Sequence, residues 1–226
     1  MKYMGSKARH ARHILPLLNV KHDSTYVEPF VGGANILSEV RCEQRIAADT
    51  DSDLICLWQA VAQGWTPPQA FKEDQYKAIR SDPASPLRSY AAFALSYGGK
   101  KFGGWCRDSK GKRDYVAEAY RNAQKQFPKL RGINFICTSY DKLNIPCGSI
   151  VYCDPPYNGT TQYANTFNHL RFWEWARSLS KRCAVYVSEY TAPADFKCIW
   201  KRDVASSLTR DTGKIRATEK LWRLYL

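Results

Sequence analysis

A chain of 226 residues is long enough to bury one sizeable core and to carry an inserted or appended lobe, and it does not favour two full domains. Its 44% hydrophobic and 13% aromatic residues are typical of a globular protein and argue against intrinsic disorder. The formal net charge of +13, from 34 Lys and Arg against 21 Asp and Glu, points to a polyanionic partner or surface.

The first predicted elements form two strand–turn–helix units. The stretch "STYVEPFVGGANILSEV" predicts a short strand that ends at Val27, a tight glycine turn and a helix that begins near Ala34. The stretch "RIAADTDSDLICLWQAV" predicts a strand at Arg45–Ala48, acidic residues at its end and a helix from about Ser52. Two such units predict an α/β fold with a parallel sheet.

A stretch of about 85 residues with helical patterns separates the second predicted strand from the third, and this is far longer than a usual crossover. We therefore expect residues 58–131 to form an inserted lobe. Charge is concentrated there, because residues 98–131 contain 10 basic and 3 acidic side chains. Such a block favours contact with nucleic acid, although a basic surface can also simply be solvated.

The centre of the lobe reads "SYGGKKFGGWCRDSKGKRDY", in which aromatic residues alternate with glycine and basic residues. This composition predicts a long hairpin or an ordered loop in which Phe102, Trp105 and Arg107 project together. Such side chains suit base stacking and phosphate contact. The alternative is a glycine-rich surface turn whose aromatic residues pack inward.

The second half of the chain continues the strand pattern. The last two predicted strands have alternating and aromatic character, and we expect them to pair as an antiparallel edge of the sheet. The predicted strands are Ile133–Ser139, Ser149–Cys153, Cys183–Ser188, Cys198–Val204 and Lys220–Leu226, with a helix over His169–Lys181.

Cysteine and histidine spacing excludes the usual metal sites. No pair among the eight cysteines has the C-x₂₋₄-C spacing of a zinc ribbon or finger, so we expect reduced thiols, and the four histidines are scattered. The first residues lack an apolar core of signal-peptide length, and no run elsewhere is long enough to span a bilayer. The expected compartment is the cytoplasm, with no membrane association.

Unusual residues follow three predicted strands at the edge where ligands bind in open parallel sheets. They are Glu28 to Gly33, then Asp49 and Asp51, then Asp154 to Tyr157. An acidic residue about 20 positions after a glycine turn commonly binds a ribose diol, and Asp49 lies 17 positions after Gly32. These positions predict a nucleoside cofactor, although each acid taken singly also suits a solvated loop.

The glycine turn argues against a dinucleotide. "EPFVGGAN" is not G-x-G-x-x-G, and it carries an acidic residue and a proline where a pyrophosphate would need backbone donors. A cationic cofactor without phosphates fits better, because Glu28 and Asp154 would attract a sulfonium and an ammonium group.

The tetrapeptide "DPPY" at Asp154–Tyr157 follows the apolar run "SIVYC". Two consecutive prolines can continue neither a helix nor a central strand, so the strand ends there and a stiff loop follows. Such a loop holds its side chains in fixed positions.

Four motifs together resemble those of the Dam-like DNA adenine-N6 methyltransferases. They are "KYMGSK" at Lys2–Lys7, "EPFVGGAN" at Glu28–Asn35, "ADTDSDLI" at Ala48–Ile55 and "VYCDPPY" at Val151–Tyr157. The resemblance covers essentially the full chain. It implies a mostly parallel, Rossmann-like methyltransferase sheet with an antiparallel edge hairpin, in which residues 1–57 and 132–226 form the catalytic domain and residues 58–131 a DNA target-recognition lobe.

The same resemblance implies S-adenosylmethionine as cofactor, double-stranded DNA as substrate and the exocyclic N6 amine of adenine as methyl acceptor. It assigns the cofactor site to residues from the N-terminal segment and the strand ends, and DNA contact to the N-terminus and the basic lobe. Phe102 would insert into the base stack, and Arg107 would contact a base. The implied cofactor residues are Tyr3, Lys7, Glu28, Phe30, Gly32, Asp49 and Asp154, and the implied DNA-binding residues are Lys2, Lys100, Lys101, Phe102, Trp105 and Arg107.

The "DPPY" loop would provide the chemistry of methyl transfer to an adenine amine, whose lone pair is delocalised into the ring. Asp154 and the carbonyl of Pro155 can accept the two amine hydrogens and so favour the pyramidal nitrogen of the transition state. Pro155 and Pro156 fix these acceptors, and Tyr157 supplies a flat face for an adenine that has been flipped out of the duplex. We expect direct in-line transfer, with no covalent enzyme intermediate and no metal.

Other functions remain open at the level of sequence. A related loop can serve methylation of cytosine N4, of adenosine in RNA or of a protein glutamine, and a catalytically silent DNA-binding protein is an alternative from another class. The resemblance makes GATC the first recognition sequence to test, and a cognate restriction nuclease in the same system would be a further partner. The sequence leaves the biological role and the oligomeric state undetermined.

Overall fold

The computed structural model describes residues 1–108, 110–157, 167–205 and 216–225. It contains both helices and strands, with short 3-10 turns at Leu37–Glu39, Tyr97–Gly99 and Phe127–Leu130 in the described ranges. The elements in chain order are α1 (Ala11–Leu18), β1 (Thr25–Glu28), β2 (Gln44–Asp49), α2 (Ser52–Ala62), α3 (Glu73–Ile79), α4 (Pro86–Ala94), α5 (Tyr115–Gln126), β3 (Asn134–Cys137), β4 (Ile150–Cys153), α6 (His169–Ser180), β5 (Ala184–Ser188), β6 (Lys197–Ala205) and β7 (Arg216–Arg223).

The strands form one seven-stranded sheet in the order β3-β2-β1-β4-β5-β7-β6. The pairs from β3 to β5 are all parallel, whereas β7 is antiparallel to both β5 and β6. The predicted α/β fold, with a mostly parallel Rossmann-like sheet and an antiparallel edge hairpin, is confirmed. Each predicted strand is found within a few residues of its predicted bounds, except that Leu226 lies outside the described residues.

The helix predicted near Ala34 is wrong. A left-handed backbone at Gly32 (φ 44°) and at Ala34 (φ 54°) interrupts helical geometry, and only the 3-10 turn at Leu37–Glu39 follows. The helix predicted from Ser52 is confirmed, because α2 begins there. The Asp51 carboxylate caps it by accepting hydrogen bonds from two backbone N–H groups of its first turn.

The inserted stretch between β2 and β3 packs on the sheet. Trp58 is fully buried, with its ring 6.1 Å from that of Phe135 in β3 and 5.8 Å from that of Phe127. The backbone N–H of Gly132 also donates to the carbonyl of Ala62. The predicted boundary at residues 57 and 58 falls within α2, whose side chains share a hydrophobic core with the sheet. The division into a catalytic domain and a lobe stays a prediction.

All eight cysteines lie within the described residues and are free thiols, as predicted. Cys106, Cys153 and Cys183 are buried. None of the helices in the described ranges is long and apolar enough to cross a membrane.

Candidate active site

Three neighbouring parallel strands bring the predicted acids to one edge of the sheet. β1 lies between β2 and β4, and all three run in the same direction. Glu28 and Asp49 are the last residues of β1 and β2, and Asp154 follows the last residue of β4. The carboxyl ends of these strands therefore place the three acids side by side, as the sequence pattern predicts.

Asp49 holds the glycine turn. Its Oδ2 accepts a hydrogen bond from the backbone N–H of Gly32 at 3.0 Å, and its Oδ1 accepts one from the N–H of Asp51 at 3.1 Å. Burial raises the Asp49 pKa, and the backbone hydrogen bonds oppose this shift. A carboxylate has about four acceptor sites, so Asp49 retains capacity to bind further donors such as ribose hydroxyls.

Tyr3 packs closely against two glycine-containing segments. A Cβ at Gly32 would lie 2.8 Å from the Tyr3 ring, and a Cβ at Gly99 would lie 2.6 Å from the Tyr3 nitrogen. The N–H of Met4 also donates to the carbonyl of Gly99 at 3.2 Å. The N-terminal segment therefore lies between the glycine turn and the centre of the inserted stretch, and it requires glycine on both sides.

Glu28 and Phe30 lie deeper than the sequence suggests. Glu28 is 2% exposed, and its Oε1 accepts a hydrogen bond from the hydroxyl of Tyr26 at 2.7 Å. Burial raises the Glu28 pKa to about 8, so the carboxyl is mostly protonated at neutral pH. The expectation that Glu28 attracts a cation by its charge is therefore not met at that pH. Phe30 joins an aromatic cluster with Tyr140 and Phe172, at ring distances of 5.4 and 5.7 Å.

Asp154 faces a buried ammonium group. Its Oδ1 lies 3.2 Å from Lys7 Nζ and, among the described residues, has no hydrogen-bond partner. Burial raises the Asp154 pKa to about 6, although Lys7 opposes the shift. Burial disfavours the charged form of Lys7, but Asp154 and Glu219 outweigh it and raise the Lys7 pKa. At neutral pH the site therefore holds a lysine ammonium and a carboxylate that is mostly ionised.

Tyr157 contacts Glu219, Lys7 and Tyr190. Its hydroxyl donates a hydrogen bond to Glu219 Oε2 at 2.8 Å. Lys7 Nζ lies 4.4 Å from the centre of its ring, and the ring of Tyr190 meets it edge-on at 4.6 Å. The "DPPY" loop therefore presents its carboxylate and its aromatic ring to the same lysine.

The aromatic residues of the inserted stretch pack inward. Phe102 and Trp105 both contact Tyr76 of α3, with ring centres 5.6 and 5.4 Å apart. The Phe102 N–H donates to the carbonyl of Ala92 at 2.8 Å, which holds this loop against α4. The prediction that Phe102, Trp105 and Arg107 project together is wrong for the two aromatic residues. Their rings pack against Tyr76, which removes from water the apolar surface that projection would leave exposed.

Among the ten basic side chains of residues 98–131, those that pair with acids of the described residues are Lys101, Arg107, Arg113 and Lys129. Lys101 Nζ lies 2.9 Å from carboxylate oxygens of both Asp51 and Asp53, directly after β2. Arg107 is exposed and forms an ion pair with Glu73. Lys100, also predicted to bind DNA, is exposed. In the N-terminal segment, Lys2 Nζ contacts the Sγ of Cys106 at 2.8 Å and lies 4.9 Å from the centre of the Tyr115 ring.

Two residues of this site were missed by sequence reasoning. Tyr190 comes two residues after β5, so the rule that points to Asp154 after β4 could have found it. Glu219 lies within β7, and no local pattern distinguishes it from an ordinary strand residue. Only the pairing of β7 with β5 brings it to the site.

Comparisons with known proteins agree with this arrangement of motifs. The model of one family, the D12 class N6 adenine-specific DNA methyltransferases, matches residues 3–88 and 88–197. A DNA adenine methylase of Vibrio cholerae is 30% identical over 166 residues, which are 62% of this chain and 58% of that protein. The retron Ec67 DNA adenine methylase of Escherichia coli is 27% identical over 162 residues, which are 59% of this chain and 55% of that protein. The chain thus matches somewhat more than half the length of these relatives.

Among solved structures, the rRNA methyltransferase aviRa from Streptomyces viridochromogenes is similar with a TM-score of 0.47 and 13% identity. That match covers 98% of this chain and 86% of the other. The likeness is too distant to bear on substrate.

Proposed function

Because the chain belongs to the D12 class N6 adenine-specific DNA methyltransferases, we propose that it methylates the N6 amine of adenine in double-stranded DNA. Membership of this family indicates dependence on S-adenosylmethionine. The observation that carries the proposal is the pairing of Asp154 with the buried Lys7 at the carboxyl edge of the sheet, beside the glycine turn held by Asp49.

The residues present fit an adenosyl cofactor. Asp49 is a largely buried acceptor with spare capacity, and it suits the two ribose hydroxyls. Tyr3 and Gly32 form the adjoining wall, and Phe30 offers an aromatic face near the end of β1. When bound, S-adenosylmethionine supplies the electrophilic methyl group.

Asp154 and the carbonyl of Pro155 accept the hydrogens of the adenine amine. The ionised carboxylate is the stronger acceptor, and the pKa of about 6 leaves Asp154 mostly ionised at neutral pH. Oδ1 of Asp154 lies 3.2 Å from Lys7 Nζ, and a carboxylate has about four acceptor sites, so capacity remains for a further donor. Pro155 and Pro156 restrict the backbone and keep both acceptors in place.

Tyr157 supplies the aromatic face for an extruded adenine. Methyl transfer to N6 requires the base to leave the stack, and an aromatic ring stabilises it outside the helix. Lys7 lies over one face of the Tyr157 ring. An adenine that stacks on Tyr157 must therefore use the opposite face or displace Lys7.

The inserted stretch is the proposed DNA-reading lobe. Its basic block of 10 Lys and Arg against 3 acids lies in residues 98–131, and its central loop contacts both the N-terminal segment and the acids after β2. Lys2, Lys100, Lys101 and Arg107 would provide contacts to phosphates or base edges. Phe102 and Trp105 would support the loop from inside, unless DNA binding releases Phe102 for insertion into the base stack.

The test is transfer of tritiated methyl from S-adenosylmethionine to duplex DNA, followed by nucleoside analysis. The expected product is N6-methyladenine. Asp154→Ala, which removes both acceptor oxygens, should reduce the single-turnover rate by about a hundredfold or more. Asp203→Ala, at an exposed acid of the edge hairpin, serves as the matched control and should leave the rate unchanged.

Each other outcome identifies a different function. Label in N4-methylcytosine, in RNA or in a glutamine of protein would replace the adenine assignment. DNA binding without any methyl transfer would identify a catalytically silent DNA-binding protein. A rate for Asp154→Ala within about tenfold of the wild type would remove Asp154 from the reacting centre. A GATC-containing duplex is the first substrate to compare with scrambled sequences.

A further inference from the structure

We propose that Glu219 is a positioning residue that holds Tyr157 and Lys7 for the transfer reaction, a role that rests on the function proposed above. Glu219 lies in the edge hairpin, far along the chain from the "DPPY" loop and from the N-terminal segment. It connects these three parts of the protein within the candidate active site.

One carboxylate oxygen of Glu219 serves both partners. Oε2 accepts the hydrogen bond of the Tyr157 hydroxyl at 2.8 Å and lies 3.5 Å from Lys7 Nζ. The same Nζ lies 3.2 Å from Asp154. The Lys7 side chain is 7% exposed and that of Glu219 14%, so water screens these contacts only weakly.

The direction of β7 brings Glu219 to this place. Ser188, the last residue of β5, pairs with Leu221 of β7, and the N–H of Glu189 donates to the carbonyl of Lys220 at 3.4 Å. Because β7 runs antiparallel to β5, the residues that precede Leu221 lie beyond the carboxyl end of β5. Glu219 is therefore delivered to the ligand edge, where Tyr190 also lies.

The hydrogen bond fixes the far end of the Tyr157 ring. The phenol oxygen lies on the long axis of the ring, so an acceptor for its hydroxyl limits where the stacking surface can lie. Lys7 over the ring face and Tyr190 against the ring limit rotation about that axis. Loss of the Glu219 carboxylate would remove one of these constraints. Loss of orientation should lower the rate of the chemical step more than it lowers affinity for DNA.

Glu219 also acts on Asp154 through charge. Within the part of the chain that the structure describes, the charged groups that face Asp154 are Lys7, Glu219 and, when ionised, Glu28. Lys7 lowers the Asp154 pKa and Glu219 raises it, while the phenols of Tyr152, Tyr157 and Tyr190 and the Cys153 thiol are neutral near pH 7. Removal of the Glu219 charge should therefore lower the Asp154 pKa, and it should leave Lys7 with Asp154 as its remaining carboxylate partner.

The first test needs no activity. The carboxyl ¹³C signals of cofactor-free protein labelled at aspartate are titrated by NMR, and the Asp154 signal is assigned by its loss in Asp154→Asn. Glu219→Gln keeps the side-chain shape and should shift the Asp154 titration from about pH 6 to lower pH. Asp203→Asn, whose carboxylate contacts only Thr218 Oγ1 among the described residues, is the matched control and should not shift it. An unchanged Asp154 titration in Glu219→Gln overturns the electrostatic part of the proposal.

The second test is a double-mutant cycle on the single-turnover rate. Glu219→Ala should reduce the rate about tenfold or more, and Glu219→Gln, which still offers an acceptor to the phenol, should restore most of it. In a Tyr157→Phe background, Glu219→Ala should cost markedly less, because the hydroxyl it holds is already absent. Equal costs in both backgrounds would refute the positioning of Tyr157.

These measurements separate the two proposals. If the wild-type protein transfers no methyl to adenine, the proposed function fails, and the titration still decides whether Glu219 is coupled to Asp154. Circular dichroism melts of each variant identify any that fail to fold. If Glu219→Ala does not fold, Glu219→Gln alone decides the electrostatic coupling, and the cycle is completed with Glu219→Leu, which offers the phenol no acceptor.

Discussion

Replacing Lys7 with glutamine should move the acid limb of methyl transfer to higher pH. Burial raises the Asp154 pKa to about 6, and Lys7, whose Nζ lies 3.2 Å from Asp154 Oδ1, opposes this shift. Loss of an opposite charge at this range raises a carboxyl pKa by about 1–3 units. The ionised fraction of Asp154 at pH 7 then falls from about nine tenths to about one half or less, so the rate falls between about twofold and about a hundredfold.

The sign of the pH dependence makes this prediction distinctive. Because the ionised carboxylate accepts the amine hydrogens more strongly than the neutral acid, the loss caused by Lys7→Gln should shrink as pH rises. The assay is single-turnover transfer from about pH 5.5 to about pH 9, with saturating cofactor and DNA. Lys129→Gln, which removes a surface ion pair with Glu39, is the matched control and should leave the profile unchanged. A loss of equal size at every pH would mean that Lys7 contacts a ligand directly and does not tune Asp154.

Four further variants test other parts of the protein. Glu28 has a pKa of about 8 against an ordinary value of 4.5, so between those pH values the folded state keeps a proton that the unfolded state loses. The Glu28 contribution to the free energy of unfolding therefore declines as pH rises through this range, and urea denaturation of Glu28→Gln should lack that decline. Asp49→Asn should weaken S-adenosylmethionine binding about tenfold or more in calorimetry, and an unchanged dissociation constant would leave Asp49 only as the support of the glycine turn. If Arg107 exchanges Glu73 for a guanine, Arg107→Ala should relax preference at one base pair by about 1–3 kcal/mol. Lys101→Ala should instead weaken all duplexes and flatten the salt dependence, and equal losses for both variants on cognate and scrambled DNA would make the loop an electrostatic anchor only.

The sheet and the strand-end acids could be predicted because their signals are local. A β-branched or aromatic run followed by glycine, proline or acid marks where a strand ends, and parallel strands share one carboxyl edge. Asp49 and Asp154 could thus be assigned to one site without knowledge of any contact. The motif resemblance then added a cofactor and a substrate class to that site.

Burial changed the expected chemistry of individual side chains. Glu28 follows the same strand-end pattern as Asp49, but it is almost completely enclosed and bonded by Tyr26, so it is mostly neutral at pH 7. Phe102 and Trp105 read as exposed aromatics in a basic loop, yet both pack on Tyr76. Neither outcome can be obtained from local composition, because each depends on which distant surface covers the side chain.

Local sequence is enough to predict where the strands, the glycine turn and the rigid "DPPY" loop lie, since each of these follows from the backbone preferences of neighbouring residues. The meeting of Lys7, Tyr157 and Glu219 depends instead on long-range contacts, because residues 157 and 219 are separated by 62 positions along the chain. Strand register brings these residues together. The antiparallel pairing of β7 with β5 is set by hydrogen bonds across the sheet and by burial of Leu221, and that pairing carries Glu219 to the ligand edge.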